Sequence, residues 1–183
     1  IGARTLGAAY GNGMAIKAGG LNGSFSAVAE KLVIPPVWQA IAPLNTPRSR
    51  TGMVYFPGNR KYYVLGGEGL SGGTTRDLPI EEYDPAANTW INRTHLLQGV
   101  SNTGAAVVGN YIYVPGGYDG VGKADMQRFD PVANAVESLE PMPTANSGHA
   151  VVAAGNLRQG TRGVPRGPRL HGQVMHPREW RAA

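Results

Sequence analysis

The chain's imidazoles are His95, His149, His171 and His176, the residues first suited to metal binding or proton transfer. His171 and His176 stand five apart. That is not the i, i+4 helical spacing of a zinc pair, and no acidic ligand cluster accompanies them. Asp119 and Asp125 flank Gly120-Val121-Gly122 and offer oxygens to a hard cation. The segment lacks the dense Asp/Asn spacing of a calcium loop, so a solvated loop is the expectation. Gly66-Gly67-Glu68-Gly69, with Gly72-Gly73 beyond, is glycine-rich. No Lys-Ser/Thr pair follows and no helix is expected to aim its N-terminus at phosphate, so a nucleotide loop is not expected. The chain has no cysteine. Disulfides, thiolate nucleophiles and Cys-ligated metals are thereby excluded, while the redox compartment stays open. The expectation is no catalytic residue, no metal and no cofactor.

The elements that must position any site come from a recurring phrase. Gly11-Asn12 leads through a short apolar run to Gly19-Gly20, Gly58-Asn59 to Gly66-Gly67, and Gly109-Asn110 to Gly116-Gly117. The doublets are 47 and 50 residues apart. In the third repeat, Thr103–Val108 reads as a small apolar inner strand and Tyr111–Val114 as a second strand ended by Gly116-Gly117. A third strand is expected around Met126–Phe129. Asp130-Pro131-Val132-Ala133-Asn134 makes a turn before a fourth strand at about 135–139. The second repeat gives Gly52–Phe56, Tyr62–Leu65, Pro79–Tyr83, the turn Asp84-Pro85-Ala86-Ala87-Asn88, and a fourth strand from Thr89-Trp90-Ile91. The first is weaker: an inner strand near 5–10, then Gly13–Ala18, Val28–Val33, and Trp38 as its outer aromatic, with Ile34-Pro35-Pro36 replacing the Asp-Pro turn. Four short antiparallel strands per period make one propeller blade.

A period near 50 with paired glycines resembles the kelch repeat. The resemblance rests on the doublets, on Tyr83-Asp84-Pro85 with Asn88-Thr89-Trp90, and on Ala42–Arg48 and Glu140–Thr144 as blade-ending segments. It implies an all-β, kelch-type β-propeller fragment of four-stranded antiparallel blades, approximately 3–48, 49–101 and 102–146, with a fourth starting at 147–156. Gly19, Gly20, Gly66, Gly67, Gly116, Gly117, Tyr83, Asp84, Asp130 and Phe129 read as structural motif residues, and Trp38 and Trp90 as aromatics packing between neighbouring blades. In the family, loops joining the second and third strands and loops linking blades line the face that binds a partner. Carried over, Arg48, Arg50, Glu68, Tyr118 and Asp119 are the expected ligand-binding residues. His149 falls where kelch inner strands often carry a polar residue near the axis, and a hydrogen-bonded structural histidine is the favoured reading. The resemblance implies a non-catalytic scaffold with a protein partner. The alternative is part of a carbohydrate-binding or carbohydrate-active surface propeller, similar to galactose oxidase or a mutarotase, with its active residues outside this chain. The oxidase site needs a Cys cross-linked to Tyr, which this chain does not supply. The wording around Tyr83–Trp90 is similar to that of large bacterial kelch proteins, many extracellular, which weights an extracellular or cell-surface location.

Residues 1–156 hold 11 Lys+Arg and 11 Asp+Glu, whereas 157–183 hold six Arg and only Glu179, which supplies the whole net charge of +5. The repeat body therefore has no bias toward nucleic acid. No apolar run approaches the ~20 residues of a membrane-spanning helix. Gly155-Asn156 opens the phrase a fourth time, but an Arg/Gly/Pro-rich stretch follows, which predicts a disordered basic tail over 157–183. Two explanations stand. One is a natural tail for acidic partners or nucleic acid; the other, favoured by a break inside a blade, is a reading frame lost near Asn156. The start at Ile1 suggests a fragment or processed product. Three blades fall short of the roughly 4–8 of a closed ring, so low stability or edge aggregation is expected.

Overall fold

The structure is a computed structural model, and it describes residues 6–21, 23–33, 37–69, 75–154, 169–170 and 173–174. The first blade runs β1 Gly7–Gly11, β2 Met14–Ala18, β3 Ala29–Val33, β4 Val37–Ala40, paired in that order. A two-residue strand, β5 Arg48–Ser49, leads into the second blade and pairs with β8 Glu68–Gly69. That blade consists of β6 Gly52–Phe56, β7 Lys61–Leu65, β9 Pro79–Asp84 and β10 Thr89–His95. The third contains β11 Ala106–Val108, β12 Tyr111–Tyr118, β13 Gly122–Asp130 and β14 Ala135–Leu139. Pairing is antiparallel throughout these sheets. Beyond them, β15 Ala153–Ala154 pairs with β16 Arg169–Leu170, which pairs with β17 Gln173–Val174. The other residues of the basic tail lie outside the described residues.

The period-2 alternation of each second strand sorts its side chains between two interfaces. Tyr62 and Val64 join a cluster with Ile16, Ala18 and Leu44 of the first blade. Tyr63 and Leu65 point the other way, into a cluster with Ile112, Val114 and Phe129 of the third. Tyr83 and Trp90 belong to the first of these clusters, with ring centroids 4.9 Å apart. Burial and neighbouring phenols push the Tyr62 hydroxyl up to about 12; it donates to the Gly11 carbonyl at 2.5 Å. The blades therefore adhere through dry aromatic and aliphatic faces, the usual source of most folding free energy.

The Asp-Pro turns latch successive blades. Asp84 Oδ1 accepts from the amides of Ala86 and Ala87, and Asp130 Oδ1 from those of Val132 and Ala133. These bonds hold the Asp84 carboxyl below the usual carboxylate range. Each turn closes on an asparagine at positive φ, Asn88 at 53° and Asn134 at 54°. Their side-chain oxygens then accept from the preceding blade, at Ala42 N (3.0 Å) and Thr94 N (3.0 Å).

The glycine doublets meet a backbone need. Gly67 N donates at 2.8 Å to the Val100 carbonyl, in the segment leading to the next blade, as Gly20 N does to Arg48 and Gly117 N to Asn146. Gly67 sits at φ 101°, where a Cβ would lie 2.8 Å from the Ser49 carbonyl oxygen. Only glycine allows that approach.

Three expectations change. The inner strand of the third blade shortens to Ala106–Val108, because Asn102 takes a left-handed φ of 50° and Thr103 turns its hydroxyl to the Pro115 carbonyl. The third doublet does not end its strand. β12 continues to Tyr118, with an irregularity between Pro115 and Gly117, because the loop to β13 is short and the ladder resumes at Tyr118↔Gly122. Trp38 does not pack between blades. It is 47% exposed and belongs to none of the buried clusters that join the blades. Lys17 stands over its ring at 5.0 Å and pairs with Glu30 at 2.5 Å. By register from the doublets, Lys17 occupies the position of the fully buried Val64 and Val114. Trp90, by contrast, is buried and donates Nε1–H to the Ala42 carbonyl at 2.7 Å.

Candidate functional site

Left-handed residues precede three successive inner strands. Arg50 (φ 59°), Asn102 (φ 50°) and Gly148 (φ 68°) occupy one register position in successive repeats. They are joined in series: Asn102 N donates to the Arg50 carbonyl at 2.9 Å and Gly148 N to the Asn102 carbonyl at 2.7 Å. A non-glycine residue at positive φ is uncommon and marks an over-determined position. Here the blade-to-blade hydrogen bonds supply the determination.

This left-handed bend sends Arg48 and Arg50 to different places. Arg48 is wholly buried. Its Nη2 meets Glu81 Oε1 at 2.7 Å, and its Nη1 donates to the Pro79 and Gly66 carbonyls at 2.8 and 3.2 Å. Glu81, also wholly buried, accepts further from the amides of Asn45 (2.7 Å) and Thr46 (3.0 Å). Burial holds the Arg48 guanidinium below its ordinary value, and Glu81 offsets this only in part. Arg48 thus ties the segment leaving the first blade to the second. The expectation that it contacts a ligand is corrected, since every direction of its fork is spent inside.

Arg50 reaches the rim. Its side chain is 38% exposed, and Nη1 pairs with Glu68 Oε1 at 2.6 Å. Glu68 lies beneath, buried, with Arg76 Nη2 at 3.5 Å from its other oxygen and the Ser101 hydroxyl donating to it at 3.3 Å. Arg76 Nε donates to Ser101 Oγ at 3.2 Å, and its guanidinium lies over the Tyr118 ring, 5.2 Å from the centroid. Ser101 and Tyr118 exchange backbone bonds of 2.9 and 2.8 Å, which tie the end of β12 to the segment entering the third blade. Asp119 follows, pairing with Lys123 at 2.8 Å and accepting from Gln98 Nε2 at 2.9 Å. The Lys123 ammonium is the main cause holding the Asp119 carboxyl below its usual range, and the Arg76 charge adds to it.

Of the five expected ligand contacts, Arg50, Tyr118 and Asp119 therefore stand at one rim across the second and third blades, Glu68 lies buried beneath Arg50, and Arg48 is wholly buried. Sequence reading passes over Arg76, Ser101 and Lys123. A signal for Ser101 exists: Ser101-Asn102-Thr103-Gly104 aligns with Ser49-Arg50-Thr51-Gly52. The expectation that no Gly-x-Ser-x-Gly is present is corrected, since Gly69-Leu70-Ser71-Gly72-Gly73 has the spacing of a nucleophile elbow. That motif needs a strand–turn–helix setting. Residues 70–74 lie outside the described residues, and no helix flanks them among the described ones.

His149 occupies the register position of Thr51 and Thr103. Its Nε2 donates to the Pro115 carbonyl at 3.1 Å, while Nδ1 is buried with no partner among the described residues. Burial pushes its pKa down. His95 pairs with Asp77 at 2.6 Å on the exposed surface. His171 and His176 lie outside the described residues. Among the described residues no group of three or more His, Asp or Glu could hold a metal, and no helix is long and apolar enough to cross a membrane.

Comparison with known proteins points the same way. The Kelch motif family model matches residues 99–143, which is most of the third blade. Human Kelch-like protein 23 is 28% identical over 123 residues, covering 66% of this chain and 20% of that protein. Human Kelch-like protein 28 is 34% identical over 88 residues, covering 45% of this chain and 15% of that protein. Spermatocyte protein spe-26 of Caenorhabditis elegans is 28% identical over 126 residues, covering 65% and 22%. The chain thus spans about a fifth of the length of these relatives. The solved structure of YjhT superposes with a TM-score of 0.72 at 21% identity, covering 85% of this chain and 56% of that one.

Proposed function

We propose that this chain, which belongs to the kelch-repeat family, is a binding scaffold that recognises a protein partner through the rim of Arg50, Arg76, Tyr118 and Lys123. The observation that carries the reading is the network joining Arg50, Glu68, Arg76, Ser101 and Tyr118 across two blades. Tyrosine and arginine dominate the energetics of protein interfaces, because each combines a large contact area with directional hydrogen bonds. Here both are held in place before any partner arrives, so little side-chain entropy is lost on binding. The blades themselves provide the rigid support on which binding loops usually sit.

The test is cross-linking mass spectrometry on a captured partner, followed by affinity measurement with a Tyr118→Ala variant. Cross-links are expected on Lys123 and its neighbours, with affinity falling roughly tenfold or more, as for an aromatic hot spot. Cross-links confined to the outer strands, with affinity unchanged in the variant, would sink the reading.

A further inference from the structure

We infer that the chain self-associates through the exposed face of its first blade, two copies meeting across a two-fold axis that runs parallel to the strands between β2 and β3. The ladders define that face. Tyr10, Ala15, Leu32 and Trp38 form one row across the four strands, and Lys17 and Glu30 lie side by side in the next row. Side chains alternate along a strand. Ile16, Ala18 and Ala29 therefore take the opposite face, where they pack against the second blade. None of the six residues in the two rows is buried, and Tyr10 is 74% exposed. The matching row of the second blade, Tyr55, Tyr62, Tyr83 and Trp90, packs against the first blade.

Complementarity under the two-fold axis names a second copy as the occupant. That operation lays β2 of one copy on β3 of the other, and β1 on β4, so every contact occurs twice. Lys17 then faces Glu30 of the second copy. Ala15 faces Leu32, a small residue against a larger one, and Tyr10 faces Trp38, the aromatic types that anchor interfaces. Lys17 and Glu30 already pair within the chain at 2.5 Å, with side chains 25% and 30% exposed. Across the axis the two pairs become a ring of alternating charges, so each charge that loses water gains a second counter-charge. An apolar blade face offers Lys17 no such partner. At the internal junctions its register position is held by Val64 and Val114, both fully buried, and a lysine set against an apolar neighbour there would lose its water uncompensated. Four strands at the ~4.8 Å spacing make a face about 19 Å wide, at the small end of specific interfaces, so dissociation in the micromolar range is expected. Arg50, Arg76, Tyr118 and Lys123 lie outside this face, so a dimer presents two rims to a multivalent partner.

The experiment is sedimentation velocity of the 183-residue chain from about 1 to 200 µM, where a single monomer–dimer equilibrium is expected. Trp38→Ala, at a half-exposed position, should keep the fold and weaken the dimer about tenfold or more. Lys17→Glu and Glu30→Lys each set like charges across the axis and should weaken it by a similar factor. An equimolar mixture of these two charge variants should dimerise again, because each then meets its opposite, a rescue that a variant failing to fold does not give. A chain that stays monomeric across the range would overturn the inference. So would a dimer indifferent to Trp38→Ala, or charge variants that the mixture does not rescue. A mass that keeps growing with concentration, as edge-to-edge strand pairing or head-to-tail stacking gives, would overturn the two-fold arrangement.

Discussion

Breaking one half of the Arg48–Glu81 latch should destabilise the chain far more than replacing both halves together. Both side chains have zero exposure, and their ion pair of 2.7 Å sits where the segment leaving the first blade crosses the second. Removing either partner strands a buried charge, which costs about 3–5 kcal/mol. Arg48→Val leaves the Glu81 carboxylate with only the amides of Asn45 and Thr46. Glu81→Gln leaves the Arg48 guanidinium without its counter-ion. The next junction shows a neutral solution. Val100 occupies the position of Arg48, and Gln127 that of Glu81, with Gln127 Oε1 accepting from Gln98 N at 2.9 Å and Nε2 donating to Gln98 O at 3.0 Å. In the Arg48→Val/Glu81→Gln double variant the introduced amide can repeat those two bonds on Thr46. The double variant should therefore lie within about 1–2 kcal/mol of the parent, since neutral replacements of buried pairs are often near neutral. At about 2–4 °C per kcal/mol for a chain of this size, each single variant should lower the thermal midpoint by roughly 6–20 °C, and the double variant by only a few degrees. Single variants within 2 °C of the parent, or a double variant as low as the sum of the singles, would refute the reasoning.

The remaining predictions concern packing, backbone and charge. Trp90→Ala should cost about 3–5 kcal/mol through its cavity and lost Nε1 bond, while the half-exposed Trp38→Ala should cost about 1 kcal/mol or less; chemical denaturation separates them. Gly67→Ala should cost more than about 2 kcal/mol, since φ is 101° and the new Cβ meets the Ser49 carbonyl oxygen at 2.8 Å. Gly13→Ala, also at positive φ but with nothing within 4 Å, should cost about 1 kcal/mol in the same assay. Burial depresses the His149 pKa in the folded state. Its contribution is therefore complete above the unfolded value of ~6.5 and is lost as pH falls toward the folded value. The thermal midpoint of the parent should drop more steeply from pH 7.5 to 5 than that of His149→Gln; parallel curves would contradict this.

Most of the architecture is legible because turn chemistry repeats. The doublets, Asp84-Pro85 and Asp130-Pro131 each correspond to a backbone requirement that few residues meet, so spacing alone places the blades. Side-chain destinations are less legible. Arg48 and Arg50 look alike in sequence, and only the left-handed φ of Arg50 sends one inward and the other to the rim. Trp38 and Trp90 occupy equivalent positions, yet burial depends on what stands against each face, which a motif does not encode. The run of β12 through Gly116-Gly117 depends on the length of the loop that follows. Asp119–Val121 closes a tight hairpin, whereas Glu68–Gly69 turns to pair with β5. Arg76 is invisible as a site residue because its partners, Glu68, Ser101 and Tyr118, come from three separate segments.

The most direct measurement of the central claim is hydrogen–deuterium exchange of the chain with and without its captured protein partner. Protection should concentrate on residues 75–77, 100–103 and 117–123, where the rim backbone carries Arg76, Ser101 and Tyr118. Protection on the outer strands β10 and β14, with those rim segments unchanged, would contradict it.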